Sequence, residues 1–141
     1  MRAASFQNKM MKINKYVIIA TDLSEWAHHT VNAGVRDCAV FLTYHGKSPI
    51  FLKAAHYLKG KNIPFLTITS DNRSELRDLS TMFIQIPNDE EKWAKIGTFT
   101  SQISFDYVLN VLFSCVYQLD YTGNVDKTTS SMTLLELNEF F

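Results

Sequence analysis

Cysteine is scarce: the 141-residue chain has two. Cys38 and Cys115 make no metal-type spacing. Both lie in apolar runs, so they read as buried thiols of a reducing compartment, and a cytoplasmic protein is expected. Neither sign of charge is in excess, since 14 Lys and Arg face 14 Asp and Glu. That balance removes the electrostatic footprint of a nucleic-acid-binding domain and leaves little to oppose self-association. No apolar run approaches the roughly 18 residues of a membrane span. The most hydrophobic one, Val108 to Val116, is interrupted by Asn110 and Ser114. The start, MRAASFQNKMMKIN, is basic but has no continuous apolar core, so no secretory signal is expected. Repeats, low-complexity tracts and a dividing linker are all missing, and one domain over 1–141 is expected, its core within about residues 5–120. Apolar residues at 46% and charged residues at 20% describe a globular chain rather than a disordered one.

What is present centres on CAVFLTYHGKSPIFLKAAHYL, residues 38–58. Cys38 to Leu42 is continuously apolar, as a parallel strand covered on both faces should be. Thr43, Tyr44, His45, Gly46, Lys47 and Ser48 then form a polar loop, and Pro49 suits the first turn of a helix with Ser48 as its N-cap. A helix N-terminus carries unpaired N–H groups and partial positive charge, so hydroxyls and a lysine there suit an anion such as a phosphate. On the spacing alone, a loop that only caps its helix is the favoured reading.

Taken in order, residues 3–13 predict a short helix, Tyr16 to Ala20 a first strand, and Leu23 to Ala33 a helix capped at Asp22 or Ser24 and ended by Gly34. Pro49 to Lys59 predicts a helix with Ile50, Phe51, Ala54, Ala55 and Leu58 inward, closed by Gly60. Pro64 to Thr69 predicts a second apolar strand, Ser70 to Ser74 a polar loop into a short helix through Leu79, and Met82 to Ile86 a last strand. The longest helix is expected from about Lys95 to Asp120. Thr122-Gly123 should break it, leaving Thr128 to Phe141 as a short helix or loose tail. Strands alternating with helices predict an α/β fold, a three-layer αβα sandwich with a mainly parallel sheet of four or more strands.

The segment FLTYHGKSPIFLKAAHYLKGKNIPFLTITSDNRSELRDLSTMFIQIP resembles the middle of a sugar isomerase (SIS) domain. That family is marked by a strand ending in Ser-x-Ser-Gly-x-Thr/Ser, a helix, and a strand ending in Thr-Ser-Asn; Thr43, Gly46 and Ser48 match the first pattern and Thr69-Ser70 the second. The layout over roughly residues 5–120 is most similar to the phosphosugar-sensing domain of RpiR-type transcriptional regulators. The resemblance implies a flavodoxin-type SIS topology lacking its first strand and Gly-x-Gly-x-Ser turn, so N-terminally truncated. It implies a phosphosugar ligand held by Thr43, Tyr44, His45, Gly46 and Ser48, with Lys47 an extra cation where an acidic residue is common. Thr69 and Ser70 would face the sugar or brace the first loop. No cofactor is implied. DNA would be reached only through an upstream helix-turn-helix domain that this chain does not contain. The strand at Tyr16 to Ala20 is expected to pair directly with Cys38 to Leu42 in place of the missing one.

Other groups invite readings of their own. His28 and His29 are adjacent on a helix and diverge by about 100°, so they cannot share one metal ion. In SIS dimers that helix can approach the neighbouring pocket. Asp22, Glu25, Glu90 and Glu91 could serve as a general base in a phosphosugar isomerase, yet no carboxylate lies inside the loop, and they read as helix-start and surface charges. Ser70 or Asp71 could simply cap the next helix. Trp93, Phe99 and Phe105 read as core or subunit interface. The long helix, apolar nearly all round, predicts a homodimer or larger assembly. The favoured reading is a non-catalytic sensor; the alternatives are an isomerase and a degenerate SIS protein with an interaction role.

Overall fold

The computed structural model describes residues 2–20, 22, 24–88 and 96–138. The elements run α1 (Arg2–Met11), α2 (Trp26–Asn32), β1 (Ala39–Leu42), α3 (Pro49–Gly60), β2 (Phe65–Thr69), α4 (Glu75–Leu79), β3 (Met82–Gln85), α5 (Ile96–Leu119) and α6 (Tyr121–Asn138). They form two compact units, one of Ala20–Phe105 and one of Met1–Ile19 with Asp106–Phe141.

The first unit holds the sheet. β2 is central and parallel to both neighbours, with Ala39 level with Phe65 and Leu66 level with Met82. All five of its residues are buried, which is why its sequence is an unbroken run of β-formers rather than an alternation. Phe41 of β1 and Phe65 of β2 meet with ring centroids 5.1 Å apart. Ala54, Ala55 and Leu58 of α3 close over them together with Ile63 and Leu76. Two alanines let α3 approach the sheet, and Trp26 of α2 packs on the rim of the same core. Lys61 and Asn62 end α3, Asn62 taking a left-handed φ of 58°.

Among the described residues the sheet has three strands, not four, and Tyr16 to Ala20 belongs to none of them. This overturns the direct-pairing expectation. A run of β-branched residues becomes a strand only where a neighbour supplies the ladder. Here the Gln7 side-chain amide donates to the Val17 carbonyl at 2.6 Å, while Tyr16 and Ile18 stay 76% and 72% exposed. α2 is also shorter than expected and has Glu25 at its N-cap position without a side-chain cap. Asp22 instead closes a local turn, accepting from the Ser24 N–H at 2.8 Å and the Ser24 hydroxyl at 2.9 Å. Those bonds hold its carboxyl below the usual carboxylate range. Thr21 and Leu23 lie outside the described residues.

In the second unit the expected break at Thr122-Gly123 is absent, because α6 begins at Tyr121 and runs through both residues. Asp120 is the whole interruption. Its carboxylate accepts from the Gly123 N–H at 3.3 Å, and the buried Asn124 donates its side-chain amide to the Tyr117 carbonyl at the end of α5. Gly123 is thus part of a helix start, where a Cβ would collide with the Asp120 carboxylate. Neither cysteine is buried as expected. Cys38 precedes an edge strand, and Cys115 lies on an exposed part of α5. Although Cys38 is exposed as a residue, partial desolvation at its sulfur pushes the thiol up. No described helix is long and apolar enough to cross a membrane.

Candidate functional site

Thr43 to Ser48 leaves the C-terminal end of β1 and delivers the chain to α3, all within the Ala20–Phe105 unit. Gly46 is the pivot of this loop. Its φ of 67° is left-handed, and a Cβ there would stand 2.9 Å from Ser74 Oγ, 3.0 Å from Ser74 Cβ and 3.0 Å from Thr69 Oγ1. Only glycine meets both demands without strain. The Gly46 N–H donates to Thr43 Oγ1 at 3.2 Å, closing the loop on itself, and the Ser74 hydroxyl donates to the Gly46 carbonyl.

A second clamp sits at Tyr44. Its carbonyl accepts from the Thr69 hydroxyl at 2.8 Å, the Ser70 hydroxyl at 2.6 Å and the Ser70 N–H at 3.0 Å. Thr69 and Ser70 are buried, so of the two roles open to them the observed one is to brace the first loop. They do not cap α4. Ser74 does, its Oγ accepting from the Leu76 N–H at 3.2 Å. The Tyr44 hydroxyl donates to Asn88 Oδ1 at 3.1 Å, and its ring meets His45 edge-on at 4.9 Å. His45 and Lys47 are exposed, and Lys47 Nζ lies 3.8 Å from Asp71 Oδ2.

The first turn of α3 is the chemically open part. Pro49 at its start has no N–H, the Leu52 N–H reaches back to the Ser48 carbonyl at 3.2 Å, and the Ser48 hydroxyl makes no cap bond. The N–H groups of Ile50 and Phe51 therefore find neither a backbone acceptor nor a Ser48 cap among the described residues. Among the described residues, these two amides at the positive end of a twelve-residue helix, beside a Ser48 hydroxyl that makes no cap bond, are donors of the kind an anion takes. The plain-cap reading of Ser48 does not describe this geometry.

The family model of the SIS domain matches residues 2–114. The chain belongs to the SIS domain family. Solved structures similar to this SIS domain include two regulators. The NanR protein of Vibrio vulnificus, complexed with ManNAc-6P, superposes with a TM-score of 0.80 at 19% identity, over 95% of this chain and 50% of its own. The RpiR transcription factor of Sphaerobacter thermophilus (sugar isomerase domain) gives 0.75 at 10% identity, over 94% of this chain and 72% of its own. At such identities the likeness is one of fold. The SIS domain spans about half the length of the Vibrio chain. A comparison with curated proteins finds no match.

Asn88 is the residue around the loop that sequence reasoning did not place there, whereas Asp71 and Ser74 belong to the polar loop expected after the second strand. Ser74, directly before Glu75, carries an N-cap signal, but its bond to Gly46 spans 28 residues and has no local signature. His28 and His29 are helix-surface groups, His29 Nε2 lying 3.9 Å from Glu25. Glu90, Glu91 and Trp93 lie outside the described residues, as does the side chain of Phe99.

Proposed function

We propose that this SIS domain binds a sugar phosphate at the Thr43 to Ser48 loop and acts as the effector-sensing part of a cytoplasmic regulator of sugar metabolism. The observation that carries this reading is the uncapped start of α3, where among the described residues the Ile50 and Phe51 amides have no backbone acceptor and the Ser48 hydroxyl makes no cap bond. The phosphate would take those donors, with His45 and Lys47 at its rim. Thr43, Thr69 and Ser70 hold the loop in shape, and Tyr44 contributes the carbonyl they hold. Resemblance to NanR and RpiR structures supports the ligand class and makes ManNAc-6P and other amino-sugar and hexose phosphates the first to try. Contact with an operator would belong to a DNA-binding domain outside these residues.

Binding without turnover is the favoured form, because isomerisation needs an acid or base beside the sugar carbons. The described carboxylate nearest the loop, Asp71, is already engaged by the Arg73 N–H at 2.9 Å. An isomerase is the second reading. Incubation with aldose and ketose phosphates separates the two: the sensor raises its melting temperature with one of them and interconverts none. We also propose a homodimer. Tyr107 and Val111 lie one turn apart on α5 and are 69% and 45% exposed, an apolar pair suited to a second copy. Light scattering at micromolar concentration should show twice the 16.2 kDa chain mass.

A further inference from the structure

The loop carries its own competitor for the anion. Asp71 is fixed, because its Oδ1 accepts from the Arg73 N–H at 2.9 Å, its own N–H approaches Thr69 Oγ1 at 3.4 Å, and its side chain is only 15% exposed. The Arg73 side chain, 90% exposed, comes no nearer than 4.0 Å. The two clamps from Ser70 to Tyr44 and from Ser74 to Gly46 lock the segment that bears Asp71 onto the Thr43 to Ser48 loop. Lys47 is the opposite case. Its side chain is 77% exposed, and the one ion pair it makes among the described residues is with Asp71 Oδ2 at 3.8 Å. One partner is immobile and the other is free to swing.

We propose that Asp71 holds Lys47 in reserve, so that a bound phosphate takes the lysine from the carboxylate and its affinity is set by the difference between two ion pairs. This rests on the phosphate reading of the loop and names the residue that tunes it. Without a ligand, Asp71 neutralises the lysine and keeps the loop from collecting anions indiscriminately. On binding, Lys47 exchanges one anionic partner for another, and Asp71 is left with the Arg73 amide. Exposed pairs of this kind are each worth little, so removing the competitor should tighten binding by roughly two- to fivefold.

The test is a double-mutant cycle on the full chain, titrating inorganic phosphate and a hexose 6-phosphate into wild type, Asp71→Asn, Lys47→Ala and the double variant. Asparagine keeps the acceptor for the Arg73 N–H and removes the charge. The proposal expects Asp71→Asn to bind about two- to fivefold tighter and this gain to vanish in the Lys47→Ala background. An unchanged or weaker Asp71→Asn overturns it. So does a gain that persists without Lys47, which would mean plain repulsion by the carboxylate. Binding by Asp71→Asn where wild type binds nothing supports the proposal in its strongest form. Absence of binding by both overturns the phosphate reading together with this inference, whereas wild-type binding with a flat cycle overturns the inference alone.

Discussion

Replacing Gly46 with alanine should cost far more than replacing Gly60. An alanine held at a φ of 67° gives up about 1–2 kcal/mol in the left-handed region. Its methyl would also press on Ser74 Cβ at 3.0 Å, Ser74 Oγ at 2.9 Å and Thr69 Oγ1 at 3.0 Å. Those partners cannot yield. Both are buried, Ser74 ties Gly46 to the start of α4, and Thr69 ties Tyr44 to the end of β2. Overpacking against such neighbours costs roughly 1–3 kcal/mol more, for a total of about 2–5 kcal/mol. In a chain of this size each kcal/mol lowers the melting temperature by about 3–4 °C, so the variant should melt roughly 6–20 °C below wild type. Gly60→Ala is the internal control. It ends α3 with nothing within 4 Å of its Cβ and no positive φ, so it should be neutral or stabilising by up to about 1 kcal/mol. Thermal melts followed by circular dichroism decide the matter. A Gly46→Ala melting temperature within 2 °C of wild type, or no lower than that of Gly60→Ala, would refute the argument from backbone strain and close approach.

Ser48→Ala should leave urea stability within about 0.5 kcal/mol of wild type, less than a working cap would cost, while weakening phosphate binding measured on the same sample. Ser74→Ala behaves the other way round: it loses the α4 cap and the bond to the Gly46 carbonyl, and should lower the unfolding free energy by about 1–3 kcal/mol in the same titration. Cys38 has its thiol pushed up from a usual value near 9, so its labelling by iodoacetamide, read by mass spectrometry, should still be accelerating above pH 9. The sign for stability follows. The native state favours the protonated thiol, so this contribution is present below the unfolded-state value and is lost as pH rises through the native one.

The parts of the fold that were legible in the sequence are those set by local pattern. β2 could be read from Pro64 to Thr69 because a strand buried on both faces is an unbroken run of β-formers with no charged or turn residue. α3 could be bounded because Ser48, Pro49 and Gly60 punctuate it. The loop was visible as a cluster of hydroxyls, but its mechanics were not, since the Ser74 to Gly46 and Ser70 to Tyr44 bonds join residues 28 and 26 positions apart. Tyr16 to Ala20 misled for a related reason: its residues suit a strand, and whether one forms depends on a neighbour that composition does not reveal. Gly123 misled because a glycine after a turn reads as a stop, whereas the Asp120 carboxylate beside it makes it a start. The cysteines misled because an apolar run does not say which side of an edge strand or a long helix is left uncovered.

If the uncapped first turn of α3 seats a phosphorylated sugar, affinity must depend on the phosphate and on Ser48. Isothermal titration with a panel of hexose, amino-sugar and pentose phosphates, each beside its unphosphorylated sugar, tests it most directly. At least one sugar phosphate should bind saturably, the matching free sugar should show no measurable binding, and Ser48→Ala should lose most of that affinity. Binding of a free sugar as tightly as its phosphate, or sugar-phosphate binding that Ser48→Ala leaves unchanged, would contradict it.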